Sequence, residues 1–276
     1  MSHAFSNRLG IEFISVFALP PIEFVNLAAD LGCQHIGMML NPMADNPHHY
    51  PAWSLKNDAG LRRDMIKAMH DRNVSISLGE GFFAIPGRDI RNSAADLELM
   101  HELGVKRICT LSVGGEQSFA FDQFALLADM TGALDMELAI EFGPCLGITD
   151  LQTAAAAVRH VNKANTKLVI DTMHLYRSGS TAADLVELGL DKIGYVQLCD
   201  VPVVSIQPSY VEEAKYERMV PGTGELPLID VLKVLPPNIV IGLEVPQRAK
   251  ALAGVGPRER LRESVAAAQA LLARIN

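Results

Sequence analysis

The chain holds 276 residues, 49% of them apolar and 20% charged, a composition that excludes a disordered or linker-dominated protein and supplies one large core. Lys and Arg number 24 against 32 Asp and Glu, a formal net charge of −8. That balance argues against nucleic acid or an anionic membrane surface as a partner, because both demand a basic face.

The N-terminus, from Met1 to Arg8, lacks the basic-then-apolar pattern of a secretion signal, and no apolar run approaches the ~18 residues of a membrane span. The cysteines, Cys33, Cys109, Cys145 and Cys199, form no CxxC pair, so they read as reduced thiols of a cytoplasmic protein. Short apolar runs predict strands at residues 10–15, 35–39, 74–78, 106–111, 137–142, 167–171, 194–198 and 239–245. They recur at about the 30-residue step of a βα unit, which points to a parallel sheet built by repeated crossovers. Between them run helical stripes, such as Phe24, Leu27, Ala28 and Leu31, then Leu61, Met65, Ala68 and Met69. Leu-Gly pairs at 31–32, 103–104 and 188–189 read as helix stops, and residues 257–275 as a closing helix. With no linker or low-complexity tract, residues 1–276 read as one domain. The expected fold is α/β, a single (β/α)8 TIM barrel, with a doubly wound open sheet as the alternative. Three βα connections, 40–57, 79–89 and 199–225, exceed what packing needs, and the last is long enough to form a lid.

In a barrel, polar residues at the C-terminal strand ends face the mouth. Here strand five ends in Glu141, strand six in Asp171 and strand eight in Glu244, while strand seven reaches Gln197. Ala139 and Gly242, one layer beneath the two glutamates, would leave room for a ligand. Three carboxylates converging in a half-dry pocket repel one another, and a divalent cation resolves the conflict. Four hard oxygen donors favour Mn2+ or Mg2+ over Zn2+.

These residues lie in Leu-Ala-Ile-Glu-Phe-Gly-Pro (138–144), Asp-Thr-Met-His-Leu-Tyr-Arg-Ser-Gly (171–179), Val-Gln-Leu-Cys-Asp (196–200), Arg-Met-Val-Pro-Gly-Thr-Gly-Glu (218–225) and Gly-Leu-Glu-Val (242–245). In that order they resemble the xylose-isomerase-like TIM-barrel superfamily of sugar isomerases and epimerases, which also contains dehydratases and endonuclease-IV-type enzymes. The resemblance implies metal binding by Glu141, Asp171, Gln197 and Glu244, with Glu141 and Glu244 as acid and base. Gln197 departs from the histidine of many ketose epimerases and is similar to the 3-dehydroshikimate dehydratase branch.

The expected activity is therefore a divalent-metal-dependent isomerase or epimerase acting through an enediolate of a keto-sugar or cyclitol. The alternative is a metal-dependent dehydratase of the 3-dehydroshikimate type. His174, three residues past Asp171, and Arg218, ahead of the Pro-Gly-Thr-Gly turn, are expected to reach substrate, together with Arg177, Glu80 and Trp53. Glu12 on strand one is the weakest candidate. Gly222-Thr-Gly224 follows a loop and lacks the lysine of a phosphate loop, so no nucleotide site is expected. The expected partner is a small polyhydroxylated carbonyl compound, with a homo-oligomer open by analogy with other barrels.

Overall fold

Eight strands form the centre of the structure, a computed structural model that describes residues 8–275. They are β1 (Leu9–Ile11), β2 (His35–Met38), β3 (Ser75–Ala84), β4 (Arg107–Ser112), β5 (Glu137–Ile140), β6 (Thr166–Asp171), β7 (Ile193–Leu198) and β8 (Ile241–Leu243). All pair in parallel and in chain order, and β1 pairs with both β2 and β8, so the sheet closes into a barrel. The open-sheet alternative is overturned by that closure. Runs such as Leu168-Val169-Ile170, with no exposed face, are what a parallel strand covered on both sides requires. Of the terminal segment read for a targeting signal, all but Arg8 lies outside the described residues.

The helices are α1 (Phe13–Val16), α2 (Pro21–Asp30), α3 (Ala59–Arg72), α4 (Ala94–Glu102), α5 (Gln117–Gly132), α6 (Leu151–Val161), α7 (Thr172–Arg177), α8 (Ala182–Leu188), α9 (Tyr210–Tyr216), α10 (Leu228–Val234), α11 (Arg248–Leu252) and α12 (Pro257–Ala273). Gly32 and Gly104 adopt left-handed backbone just past α2 and α4, as the Leu-Gly stops require. One large apolar core lies between sheet and helices. Inside the barrel Leu78, Cys109, Ala139, Val169 and Tyr195 form a smaller buried cluster. Full burial of side chains the size of Leu78 and Val169 stabilises by about 1.5–3 kcal/mol each, and they pack the floor beneath the mouth. Among the described residues no helix is long and apolar enough to cross a membrane.

Three segments differ from the sequence expectation, and each difference bears on the mouth. Strand β1 stops at Ile11, because Phe13–Val16 turns at once into α1, with Glu12 as its N-cap residue. Strand β3 does not stop at residue 78 but continues to Ala84. A bulge between Gly79 and Phe82 lets it pass, with Gly81 at φ +103°. Glu80 therefore sits inside a strand. Finally, the segment 199–225 contains a helix, α9, capped by the Ser209 side chain accepting from the Glu212 amide.

Candidate active site

Asp171 and Gln197 are register partners on β6 and β7, and Gln197 is in turn the partner of Gly242 on β8. Glu244 lies two residues beyond Gly242. Glu141 follows β5, its amide donating to the Thr110 carbonyl at 2.8 Å. Register alone thus brings the four strand-end residues to one end of the barrel, all buried. Gln197 Nε2 donates to Glu244 Oε1 at 3.2 Å. His174 links the other two: its amide donates to Asp171 Oδ1 at 2.8 Å, and its ring Nε2 stands 3.4 Å from Glu141 Oε1. The Cys109 thiol donates to Glu141 Oε2 at 3.4 Å.

The guanidinium of Arg218 stands among these acids. It is 4% exposed, and one nitrogen, Nη1, bonds Asp171 Oδ2 and pairs with Glu244 Oε2 at 2.7 Å. Its Nε donates to the Ala214 carbonyl at 2.8 Å. Arg218 is aimed here by the turn that follows it. Asp200, fully buried, accepts from the amides of Gly222 and Gly224 at 2.8 and 3.0 Å and from that of Leu226 at 3.1 Å. The Pro-Gly-Thr-Gly amides therefore enclose the protein's own carboxylate. Burial acts to raise the Asp171 carboxyl, but Arg218 and His174 overcome it and hold the group well below the usual range. Burial pushes Glu244 well above that range despite Arg218, with Asp171 and Glu141 adding to the effect.

Among the described residues no three His, Cys, Asp or Glu side chains are arranged to hold an ion on their own, because Arg218 draws Asp171 and Glu244 to itself. The donor set still fits a hard divalent cation on two counts. Three carboxylates, Glu141, Asp171 and Glu244, converge beside one guanidinium, and Asp171 and Glu141 add to the rise that burial imposes on Glu244. In addition, Gln197 Oε1, on a side chain 1% exposed, has no hydrogen-bond partner. Glu141, Asp171, Gln197 and Glu244 are the residues that would hold it.

Residues 25–271 match the family model of the xylose isomerase-like TIM barrel. The chain belongs to that family. It is 24% identical over 202 residues to a 3-dehydroshikimate dehydratase of Pseudomonas aeruginosa, a match covering 68% of this chain and 31% of the relative. The chain thus spans about a third of the length of the curated relative it matches. Among solved structures, the IolI protein with a bound zinc atom superposes with a TM-score of 0.78 at 17% identity, over 98% of this chain and 99% of that one. D-psicose 3-epimerase in the presence of D-fructose gives 0.69 at 14% identity, over 96% and 99%. At such identities the likeness is one of fold. The zinc in the first of these structures lends no support to a preference for Mn2+ or Mg2+.

Within this family barrel, three expected substrate contacts are engaged elsewhere. Arg177 Nη2 donates to Glu213 Oε2 at 2.9 Å and to the Pro202 carbonyl at 2.8 Å, so it anchors the lid segment. Trp53 donates its indole N–H to the Ala18 carbonyl at 3.1 Å and meets Phe13 edge-on at 5.8 Å, which fastens the loop after β2. Glu80 Oε1 and Glu12 Oε2 both lie over Gly37, where a Cβ would stand 2.7 and 2.1 Å from them. Glu12 in turn accepts from the Tyr195 hydroxyl at 2.6 Å, and Ser77 Oγ lies 3.0 Å from the same hydroxyl. The space left by Gly242 belongs to this cluster and not to a ligand. A Cβ there would stand 1.6 Å from Glu12 Oε1 and 2.7 Å from the Tyr195 hydroxyl.

Sequence reasoning named Glu12 last and passed over Tyr195 and Tyr210, which the structure places in or beside the mouth. Tyr195 was within reach, since it shares an inward face with Gln197 by the two-residue period of β7. Burial, chiefly, raises Glu12 to about 7 and Glu80 well above the ordinary carboxylate value, and the two titrate as a pair. A raised carboxyl supports the fold fully below its unfolded value and loses that support as pH climbs through its folded value. In chelator-treated protein the urea midpoint should therefore fall from about pH 5 to about pH 8. Glu12→Gln is expected to flatten that slope, by an amount on the order of 1–3 kcal/mol. An unchanged slope in the variant would show that Glu12 is not raised.

Proposed function

We propose that this protein is a metal-dependent lyase that removes water from a hydroxylated keto-acid of the 3-dehydroshikimate type. The observation that carries this reading is the asymmetry of the two glutamates. Glu244 is hydrogen-bonded by Gln197 and ion-paired with Arg218, whereas Glu141 meets no cationic guanidinium and lies between the His174 ring and the Cys109 thiol. One side of the mouth thus carries a carboxylate and an imidazole in proton-transfer reach, and the other side is clamped. The dehydratase name of the curated relative points the same way.

The chemistry follows from those groups. A divalent cation held by Glu141, Asp171, Gln197 and Glu244 would supply Lewis-acid stabilisation of negative charge on a substrate oxygen. Glu141 takes the proton from the carbon beside the carbonyl. The electron pair left by that C–H bond forms the new C=C bond as the neighbouring C–O bond breaks. The departing hydroxyl collects a proton from His174 and leaves as water, and Glu141 returns the abstracted proton to the imidazole. Arg218 keeps Asp171 and Glu244 fixed throughout, and the lid segment excludes solvent water.

Epimerisation or isomerisation of a keto-sugar is the second reading. It is favoured by the placement of Glu141 and Glu244 on β5 and β8, where each could serve one face of a planar enediolate, and by the epimerase among the structural neighbours. The test is a metal analysis of the purified protein, followed by two assays with the metal found. Loss of water from 3-dehydroshikimate, read as a new conjugated absorbance, is expected. Deuterium uptake from D2O into a ketose, without any loss of water from dehydroshikimate, would replace the lyase by the epimerase.

A further inference from the structure

The segment after α9 carries Arg218 between two antiparallel bridges, Glu217 with Gln247 and Met219 with Asp200, so residues 217–219 run extended. Side chains alternate along such a run. Arg218 turns its guanidinium into the mouth, onto Asp171 and Glu244, and Glu217 and Met219 face the reverse side. A cavity of about 370 Å3 lies there, between this segment and helices α11 and α12, with Glu217, Met219, Val220, Gln247, Lys250 and Glu263 among its walls. That volume falls at the lower end of small-molecule sites, and none of the four strand-end residues lines it.

The polar groups around this cavity accept more than they donate. Gln247 is 6% exposed, and its Oε1 has no hydrogen-bond partner among the described residues. A buried carbonyl left unpaired is a cost that a donating ligand removes. Glu217 spends Oε1 on the Ala249 amide at 2.8 Å and has no ion-pair partner among the described residues. Glu263 meets Lys250 only at 4.0 Å. The neighbouring guanidiniums are committed, Arg218 to the mouth and Arg248 to Glu212 at 2.8 Å and to the face of the Tyr216 ring at 3.7 Å. The Thr223 hydroxyl donates to the Val220 carbonyl at 2.8 Å. Two carboxylates against the one ammonium of Lys250 leave an acceptor-rich, negative wall beside the apolar side chains of Met219 and Val220. We propose that this cavity is a binding site for a small organic ammonium, whose N–H groups satisfy Gln247 and Glu217 and whose hydrocarbon chain lies on Met219 and Val220. A neutral alcohol of the same length supplies one donor but no charge to set against the carboxylates, and an anion is repelled by them. The site stands behind the strand that carries Arg218 and does not depend on which reaction the mouth performs.

The experiment uses the full chain labelled with 13C-methyl methionine, and the Met219 signal is assigned by its disappearance in Met219→Leu. Titration with n-butylammonium chloride is expected to shift that signal to saturation, with a Kd in the millimolar range that suits so small a ligand. Potassium chloride at the same ionic strength should leave it in place. 1-Butanol, of matching length without the charge, should bind roughly tenfold more weakly. Glu217→Gln keeps an acceptor for the Ala249 amide and removes only the charge, and it should weaken butylammonium binding about tenfold. Gln247→Leu, which removes the unpaired carbonyl, should act in the same direction. Absence of a saturable shift, or equal binding of 1-butanol, overturns the proposal. So does a shift indifferent to Glu217→Gln, which would place the ammonium among the strand-end acids instead.

Discussion

Glu141→Gln is expected to lower turnover by about 10²–10⁴-fold, the range that a positioned general base contributes. The substitution keeps the shape and removes one proton acceptor. Glu141 lies between the His174 ring and the Cys109 thiol, each at 3.4 Å, while Glu244 is hydrogen-bonded by Gln197 and ion-paired with Arg218. Stability should move the other way. The Glu141 charge adds to the rise of the Glu12, Glu80 and Glu244 carboxyls, so it repels its surroundings. Removing that charge relieves buried like-charge repulsion, and the thermal midpoint is expected to hold or rise. Loss of activity without loss of stability is the signature of a group strained for function. Kinetics beside a thermal melt check both halves. A fall of less than tenfold would mean that the proton goes elsewhere, with Glu244 the next candidate.

The strand ends were legible because parallel strands advertise themselves twice, by continuous apolar runs and by the polar residue that stops each run. Glu141, Asp171, Gln197 and Glu244 follow Leu-Ala-Ile, Leu-Val-Ile, Tyr-Val and Ile-Gly-Leu, and register then places them together. Glu12 carried the weakest signal because β1 is only three residues long and passes directly into a helix, leaving too short a run for an alternation to declare itself. Gly242 misled for a related reason. A small residue marks a space, but only the fold says that Glu12 from the adjacent strand fills it. Arg177 was assigned to substrate because α9 went unread, although Ser209 and Glu212 carry the spacing of a helix start. Once α9 exists, Glu213 exists as a buried partner, and Arg177 belongs to it. Arg218, expected to reach substrate, lies among the strand-end acids. Its bridge between Asp171 and Glu244 depends on how the chain turns around Asp200, a tertiary event without a local signature.

Arg218→Met is expected to destabilise the chelator-treated protein by about 3–5 kcal/mol at neutral pH, the cost of stripping a buried ion pair of one partner. Methionine preserves most of the stem and its packing, so the loss reports the charge. The guanidinium stands between two buried carboxylates, and its removal leaves Asp171 without the positive charge that chiefly offsets its burial. The sign with pH follows. Asp171 is held low by Arg218 in the folded chain, so it contributes stability above its unfolded value and loses it as pH falls. Without Arg218 that contribution vanishes, and the variant should lie furthest below wild type at neutral pH and approach it in acid. A divalent cation should act as a substitute. It would restore the missing positive charge to the same carboxylates, so the urea midpoint of the variant is expected to recover more on metal addition than that of wild type. Urea titrations of both proteins, with chelator and with metal, make the comparison. Equal midpoints in chelator would show that Arg218 stabilises nothing on balance. A variant destabilised in chelator but indifferent to metal would show that the four strand-end residues do not gather a cation.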